Sequence, residues 1–320
     1  MRRALLVASA GGHFDELSIM ARAWGLDKCD RVWVTSRTPQ TESMLVDERV
    51  IWLPRVGSGE RLKALQSLPL ALRVHSLVRP DVVISTGALF SAAHLVAARI
   101  RRTETWFIDS ATRVDGPSNT AKFAQRFTRA RLLAQGAGWG DARWTSVPSV
   151  FESFEAVPDK RTKEEIRNVV VTLGSELWPF ERAASRLLEL LPDVNITWQT
   201  GTTEVIHHGT ALRRWVPANE LRQAIREADV VIAHAGVGSA LVALDEGKIP
   251  ILLPRLARHQ EMIDDHQVEF AGLMADKGLA ITVSPTDLQL DHLAEAAQLR
   301  ARRRNIADDS RWHQMPRPRF

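Results

Sequence analysis

Apolar residues along the 320-residue chain are arranged in two ways: short unbroken runs, and longer segments in which they recur every three or four positions. The first arrangement predicts buried strands, the second helices packed on one side. Runs at residues 4–9, 31–35, 50–53, 81–87 and 105–108 predict strands, and residues 14–24 and 88–100 predict helices, the former with Leu17, Met20 and Ala21 on one face. Residues 60–78 form a long amphipathic segment with Leu62, Leu65, Leu68, Leu72 and Leu77 on the apolar side and Arg61, Lys63, Arg73 and Arg79 around it; Pro69 kinks or divides it. Such a segment suits a crossover helix, and also a helix lying on a membrane surface. In the second half, strands are predicted at residues 169–173, 195–199, 213–216, 230–232, 249–253 and 279–283, with helices after Ser239 and after Pro285.

This alternation predicts an α/β fold. Each half opens with a strand, a glycine-containing turn and a helix, so the expected architecture is two facing, Rossmann-like doubly wound domains. Residues 152–168 are polar and charged, which places a linker at residues 158–168. The domains are then 1–157 and 169–300, and residues 301–320 form a basic tail that either crosses back to the first domain or stays disordered.

Length agrees with two domains, and 45% apolar with 25% charged residues is ordinary globular composition. The single cysteine, Cys29, excludes an intrachain disulfide and reads as a small buried thiol. Net charge is +4, yet residues 300–320 hold seven arginines against two aspartates, a local +5 that leaves the rest at −1. The basic character is a tail effect, so no nucleic-acid groove is indicated; the tail is solvated or touches anionic lipid. Met1-Arg2-Arg3 and the apolar run behind it mimic an export signal, but the run passes at once into Gly11-Gly12-His13 and reads as a strand. The uncharged stretch 230–244 falls short of the ~18 residues a spanning helix needs, and no transmembrane segment is expected.

Candidate chemistry concentrates in residues 229–267. Val230-Val231-Ile232 breaks into His234-Ala235-Gly236-Val237-Gly238-Ser239, continues as a helix to Gly247 and resumes at Ile249: strand, glycine turn, helix, strand. Such a turn brings backbone N–H groups at a helix N-terminus up to an anion, which suggests a nucleoside diphosphate site; a tight turn that binds nothing is the alternative. Asp265 and Gln267, in the polar loop after Leu253-Pro254, carry the acceptors and donors needed for sugar hydroxyls.

The string HAGVGSALVALDEGKIPILLPR, followed by DDHQVEF, resembles the donor-binding half of family 28-type GT-B glycosyltransferases. It is most similar to the catalytic subunit of dolichol-linked chitobiose synthase and to related bacterial exopolysaccharide glucuronosyltransferase subunits. VTLGSELWPFERA is similar to the start of that catalytic subunit, and RRWVPANEL to the loop that holds the nucleotide base. SAGGHFDEL, VVISTGALFS and WFIDSATRV resemble the synthase's membrane-recruiting subunit, and Gly-Gly-His is shared with the peptidoglycan transferase that makes lipid II. The chain thus resembles a fusion of two parts that are separate chains in some relatives. The resemblance implies the GT-B fold, with an interdomain cleft, and an inverting, metal-independent transfer. A sugar of the GlcNAc or glucuronate class would pass from a UDP-sugar to a lipid-linked saccharide acceptor in exopolysaccharide or glycan assembly. It implies a cytoplasmic enzyme in peripheral contact with the membrane, directly or through a partner protein, with no cofactor beyond the donor. By the same resemblance the donor meets Gly174, Ser175, Val216, His234, Ala235, Gly236, Val237, Gly238, Ser239, Asp265, His266 and Gln267, while Gly11, Gly12, Thr86, Gly87, Ser110 and Arg113 face the acceptor and the cleft.

An inverting transfer needs a base for the acceptor hydroxyl, and His13 is the candidate because imidazole titrates nearest neutral pH. Glu16 orients His13, serves as base itself, or merely favours the helix dipole. No DxD-type acidic pair is placed to hold a metal on the diphosphate. Some relatives hold the ribose with a glutamate where this chain has Val242, so either Asp245 or Glu246 replaces it or the donor takes a different pose. Arg255, Arg258 and His259 suit an acidic sugar, or are solvated loop charges. Two competing readings are a nucleotide-sugar 2-epimerase of the same fold and a non-catalytic nucleotide-sugar-binding subunit. The presence of both halves in one chain, with His13, argues against the latter.

Overall fold

The computed structural model describes residues 2–56, 60–136, 139, 141–159, 165–174, 178–205, 212–304 and 310–318. Contacts divide the chain into two compact units, Met1–Val150 with Asn305–Phe320, and Phe151–Arg304. In the first unit β1 (Arg3–Val7) leads into α1 (Gly12–Ala23), followed by β2 (Asp30–Thr35), α2 (Pro39–Met44), β3 (Val50–Trp52), α3 (Arg61–Gln66), α4 (Leu68–Val78), β4 (Val82–Ser85), α5 (Ala92–Arg101), β5 (Glu104–Ile108), α6 (Asn119–Phe127), β6 (Arg131–Gln135) and β7 (Trp144–Val147). The strands form one sheet in the order β3-β2-β1-β4-β5-β6-β7, and every pairing is parallel. Helices cover both faces, so β1 and β4 are buried along nearly their whole length, which is why they read as continuous apolar runs. Strand order reverses between β1 and β4, the point at which doubly wound sheets open a crevice beyond their carboxyl ends.

The segment 60–78 is two helices, not one. Pro69 stands in the first turn of α4, where its missing N–H costs nothing. The break changes which side faces inward: Ala64, Ala71, Val74, His75 and Val78 are buried, whereas Leu62, Leu65 and Leu77 are 75%, 70% and 77% exposed. Ala71 packs with Ala93 and Ala97 of α5, a close helix contact that admits only small side chains. Leu68 and Leu72 reach that contact from its margin.

The second unit begins with β8 (Phe154–Pro158) and continues through β9 (Asn168–Thr172), α7 (Glu181–Leu190), β10 (Asn195–Gln199), β11 (Leu212–Arg213), α8 (Ala218–Glu227), β12 (Val230–His234), α9 (Val237–Asp245), β13 (Ile251–Leu253), α10 (His266–Asp276), β14 (Ile281–Thr282) and α11 (Leu290–Ala297) to β15 (Leu299–Arg303). Its parallel sheet runs β11-β10-β9-β12-β13-β14, the same winding, with the reversal between β9 and β12. Alternate residues divide between two cores. Val169, Val171, Val230 and Ile232 pack with α7 and α11, while Val170 and Val231 pack with α8 and α9. The glycine turn before α9 and the start of α7 therefore belong to opposite faces of the sheet.

β8 and β15 pair antiparallel, binding the strand that enters this unit to the strand that leaves it. Phe151 stacks on Phe270 at 5.3 Å. The contact division accordingly falls at Val150/Phe151, ahead of the 158–168 segment expected as linker. Residues 299–303, part of the basic C-terminal run, are strand, and Arg302 and Arg303 pair with Glu155 and Asp245. Beyond them α12 (Ser310–Gln314) lies in the segment that returns to the first unit, where Trp312 and Met315 are buried. Among the described residues no helix is long and apolar enough to cross a membrane.

Candidate active site

In the first unit the chain turns from β1 into α1 at Gly11, whose φ of 98° lies in the region that favours glycine. Its N–H donates to Gln40 Oε1 at 3.1 Å, and Gln40 Nε2 donates to both Asp15 oxygens at 2.9 Å. That amide is thus occupied, and the turn serves to place His13. His13 Nδ1 lies 2.8 Å from the Thr86 carbonyl oxygen, and the Thr86 hydroxyl donates to the His13 carbonyl at 2.6 Å. A carbonyl only accepts, so Nδ1 carries a hydrogen, and in the neutral ring the lone pair is then on Nε2. Gly12 opens α1, and Gly87 follows Thr86 with a φ of 108°. His13, Thr86 and Gly87 therefore come together at the strand reversal.

Glu16 lies one turn further along α1, fully buried. Ser110 Oγ is 2.7 Å from one carboxyl oxygen and Gln135 Nε2 donates to the other at 3.0 Å. Burial raises its pKa to about 8 against these bonds and that of the Ala111 amide. Its carboxyl thus joins α1 to the loops after β5 and β6. Asp109, buried beside them, receives the Ser110 and Ser118 amides, and burial raises its pKa as well. Arg113 donates its N–H to the Ser110 carbonyl at 3.0 Å, so it closes the same loop. Gln40 and Gln135 escaped sequence reading because a lone glutamine carries no motif.

In the second unit Gly236 caps α9, and Val237, Gly238 and Ser239 form its first turn, where amides have no intrahelical acceptor. His234 ends β12 with Ala235 buried behind it, and its ring lies between two glycines. A Cβ on Gly236 would stand 2.3 Å from His234 Nε2, and one on Gly174 2.8 Å from Nε2 and Cε1. Both glycines are therefore required by the imidazole, whatever else approaches them. Burial, with Arg255 nearby, lowers the His234 pKa to about 3, so the ring is neutral; Ser239 Oγ lies 3.4 Å from its Nδ1. Ser175 lies outside the described residues.

The loop after β13 departs from expectation. Arg255 is fully buried: its guanidinium donates to the carbonyls of Leu173, Trp178, Pro179 and Glu261 at 2.5–3.3 Å and lies 4.7 Å over the Phe180 ring. It clamps the β9 and β13 loops together instead of facing solvent as a sugar-binding cation. Gln267 is likewise buried, its Oε1 accepting the Arg255 amide at 3.1 Å. Asp265 is exposed and accepts the Ala257 amide at 2.8 Å, and His266 Nδ1 bonds to Asp264. The Val216 amide donates to Gln199 Oε1 at 3.1 Å. Asp245 and Glu246, expected near the ribose, close the far end of α9 from its glycine turn and pair with Arg222, Arg226 and Arg303.

Two doubly wound units, with His13 at the strand reversal of one and a glycine turn opening a helix in the other, have the architecture of the GT-B glycosyltransferases. Residues 168–311 match the Glycosyltransferase family 28 C-terminal domain. Over 97% of its length the chain is 25% identical to 90% of a UDP-N-acetylglucosamine–N-acetylmuramyl-(pentapeptide) pyrophosphoryl-undecaprenol N-acetylglucosamine transferase of Paraburkholderia phymatum. The enzyme of that name from Shewanella amazonensis is 25% identical over 75% of this chain and 69% of its own. Among solved structures, Acinetobacter baumannii MurG superposes with a TM-score of 0.57 at 17% identity, covering 92% of this chain and 89% of that one. Spinosyn rhamnosyltransferase SpnG complexed with thymidine diphosphate gives 0.54 at 15% identity, over 92% and 90%.

Proposed function

We propose that the chain is an inverting glycosyltransferase that moves a sugar from a UDP-sugar to a lipid-linked saccharide acceptor without a metal. The observation that carries the reading is the tautomer of His13. With its Nδ1 hydrogen held by the Thr86 carbonyl, the neutral ring carries its lone pair on Nε2, the atom able to take a proton from an attacking hydroxyl. The first-turn amides of α9 and the Ser239 hydroxyl supply fixed dipoles for the charge that grows on the leaving diphosphate. Fixed helix amides in that role support metal independence.

The names of the curated relatives support uridine as the base and an undecaprenol-type acceptor. The names also favour N-acetylglucosamine over glucuronate, and the burial of Arg255 removes one of the three side chains suited to an acidic sugar. Exposed Leu62, Leu65 and Leu77 beside exposed Lys63 and Arg73 support peripheral membrane contact on the cytoplasmic side. The setting in exopolysaccharide or glycan assembly rests on the sequence resemblance.

The test is thermal unfolding with UDP, GDP, ADP and CMP in the presence of EDTA. Ligand at ~100 times its Kd stabilises the folded state by roughly 2.7 kcal/mol. UDP alone is expected to raise the Tm, and Gly238→Trp to abolish the rise; no shift with any nucleotide overturns the reading.

A further inference from the structure

A cavity of about 690 Å³ opens in the second unit between the start of α7 and the β13–α10 loop, lined by Trp178, Pro179, Glu181, Arg182, Ala257, His259, Gln260, Glu261 and Met262. It adjoins α7, on the other face of the sheet from the helix that carries the glycine turn. Its volume falls within the roughly 300–1,000 Å³ of small-molecule sites. We propose that this cavity binds a neutral pyranose ring, apart from the nucleotide turn.

Three features carry the assignment. The floor is fixed: Arg182 holds Glu261 through two bonds, at 3.0 and 2.8 Å, and the buried Glu261 carboxylate also receives the Leu256 amide at 3.0 Å. The wall combines the half-buried Trp178 with Pro179, Ala257 and Met262, a surface suited to the C–H face of a sugar ring. The rim carries His259, Gln260 and Glu181, all exposed, whose planar polar groups match hydroxyls at the ring's edge. Charge decides against a phosphate or a uronate. The one arginine in the lining is already paired with Glu261, and a second carboxylate, Glu181, stands at the rim. Gln260 has a φ of 57°, an uncommon conformation for a residue with a side chain, and this turn presents its amide at the rim.

The identification of the ring with a substrate rests on the transferase reading: it is a sugar of the acceptor. Saturation-transfer NMR with chitobiose as the probe tests the site directly. Wild-type protein is expected to transfer saturation to the chitobiose ring protons, and UDP at saturation is expected to leave the signal in place. Trp178→Ala should weaken binding by about fivefold, the size of one aromatic contact. Gln260→Gly, which suits the backbone at that position, should weaken it without disturbing the fold. Retention of chitobiose in the presence of UDP-GlcNAc supports the acceptor assignment; displacement by UDP-GlcNAc but not by UDP would make the ring the donor's and overturn it. No transfer in the wild type, or equal transfer in both variants, overturns the proposal. Failure of UDP to stabilise the protein would sink the transferase reading and leave the chitobiose result standing.

Discussion

At the scale of single residues, the glycines of the second unit are explained by a neighbour before any ligand. The His234 ring occupies the space that a Cβ on Gly174 or Gly236 would enter, and Gly236 itself has an ordinary φ of −109°, so the constraint there is steric and not conformational. Gly236→Ala should therefore destabilise the second unit by about 1–3 kcal/mol, the usual cost of overpacking. Truncating the ring removes the clash, so the double variant His234→Ala/Gly236→Ala should be no less stable than His234→Ala alone. Urea unfolding of the four proteins measures the coupling, and additive losses would show that the ring does not set the requirement. Gly174→Ala is a poorer probe, because its φ of 89° adds backbone strain to the contact.

Elements, by contrast, differ in how much of themselves they show in sequence. β1, β4, β9 and β12 are buried on both faces and write uninterrupted apolar runs, so these strands and the glycine turns that follow β1 and β12 could be located from the chain. β6 and β7 were missed because β6 is a short apolar core between Arg131 and Gln135, and β7 exposes Thr145 and Ser146 at a sheet edge. β8 and β15 were missed because their partners lie far apart in sequence and their polar residues pair across the strands, as Arg302 does with Glu155. The site was half legible: motifs located His13 and the α9 turn, but nothing marks Arg255 as a buried clamp, since its carbonyl partners are backbone and belong to another loop. The α3–α4 segment shows the opposite difficulty. Its pattern was visible, yet the helix break and the narrow alanine contact decide which leucines are buried. Leu62, Leu65 and Leu77 are left outside with Lys63 and Arg73, and they should give affinity for anionic bilayers. Sedimentation with phosphatidylglycerol-containing vesicles should capture the protein. Leu62→Asp/Leu77→Asp should cut capture several-fold with no loss of Tm; unchanged capture would remove this face from the membrane.

For the molecule as a whole, buried titratable groups make stability depend on pH in a way that can be worked out for the first unit. Burial lowers His75 to about 4, with Arg101 adding to the effect, and lowers His94 to about 3, with His75 adding to it. The rings lie 5.7 Å apart between α4 and α5. Below pH 6.5 the unfolded chain binds protons at these two histidines that the folded unit refuses, so their contribution is present above 6.5 and is lost as pH falls. Glu16 acts in the other sense. Its folded pKa of about 8 lies above the ordinary 4.5, so between those values the folded unit holds a proton that the unfolded chain has released, and stability falls as pH rises. Asp109, raised by burial too, adds to this fall at lower pH. Near pH 5–6 two histidines oppose one glutamate, and above 6.5 the glutamate acts alone. Stability should thus peak near pH 6.5, with limbs of at most about 1.4 kcal/mol per pH unit for each unbalanced proton. Glu16→Gln copies the protonated carboxyl, since an amide can donate to Ser110 Oγ while its oxygen accepts from Gln135. It should abolish the decline between pH 6.5 and 8 and steepen the rise below 6.5. Urea unfolding at pH 5, 6.5 and 8, followed on a signal from the first unit, provides the measurement; a wild-type decline that persists in Glu16→Gln would mean that Glu16 is already ionised in the folded protein.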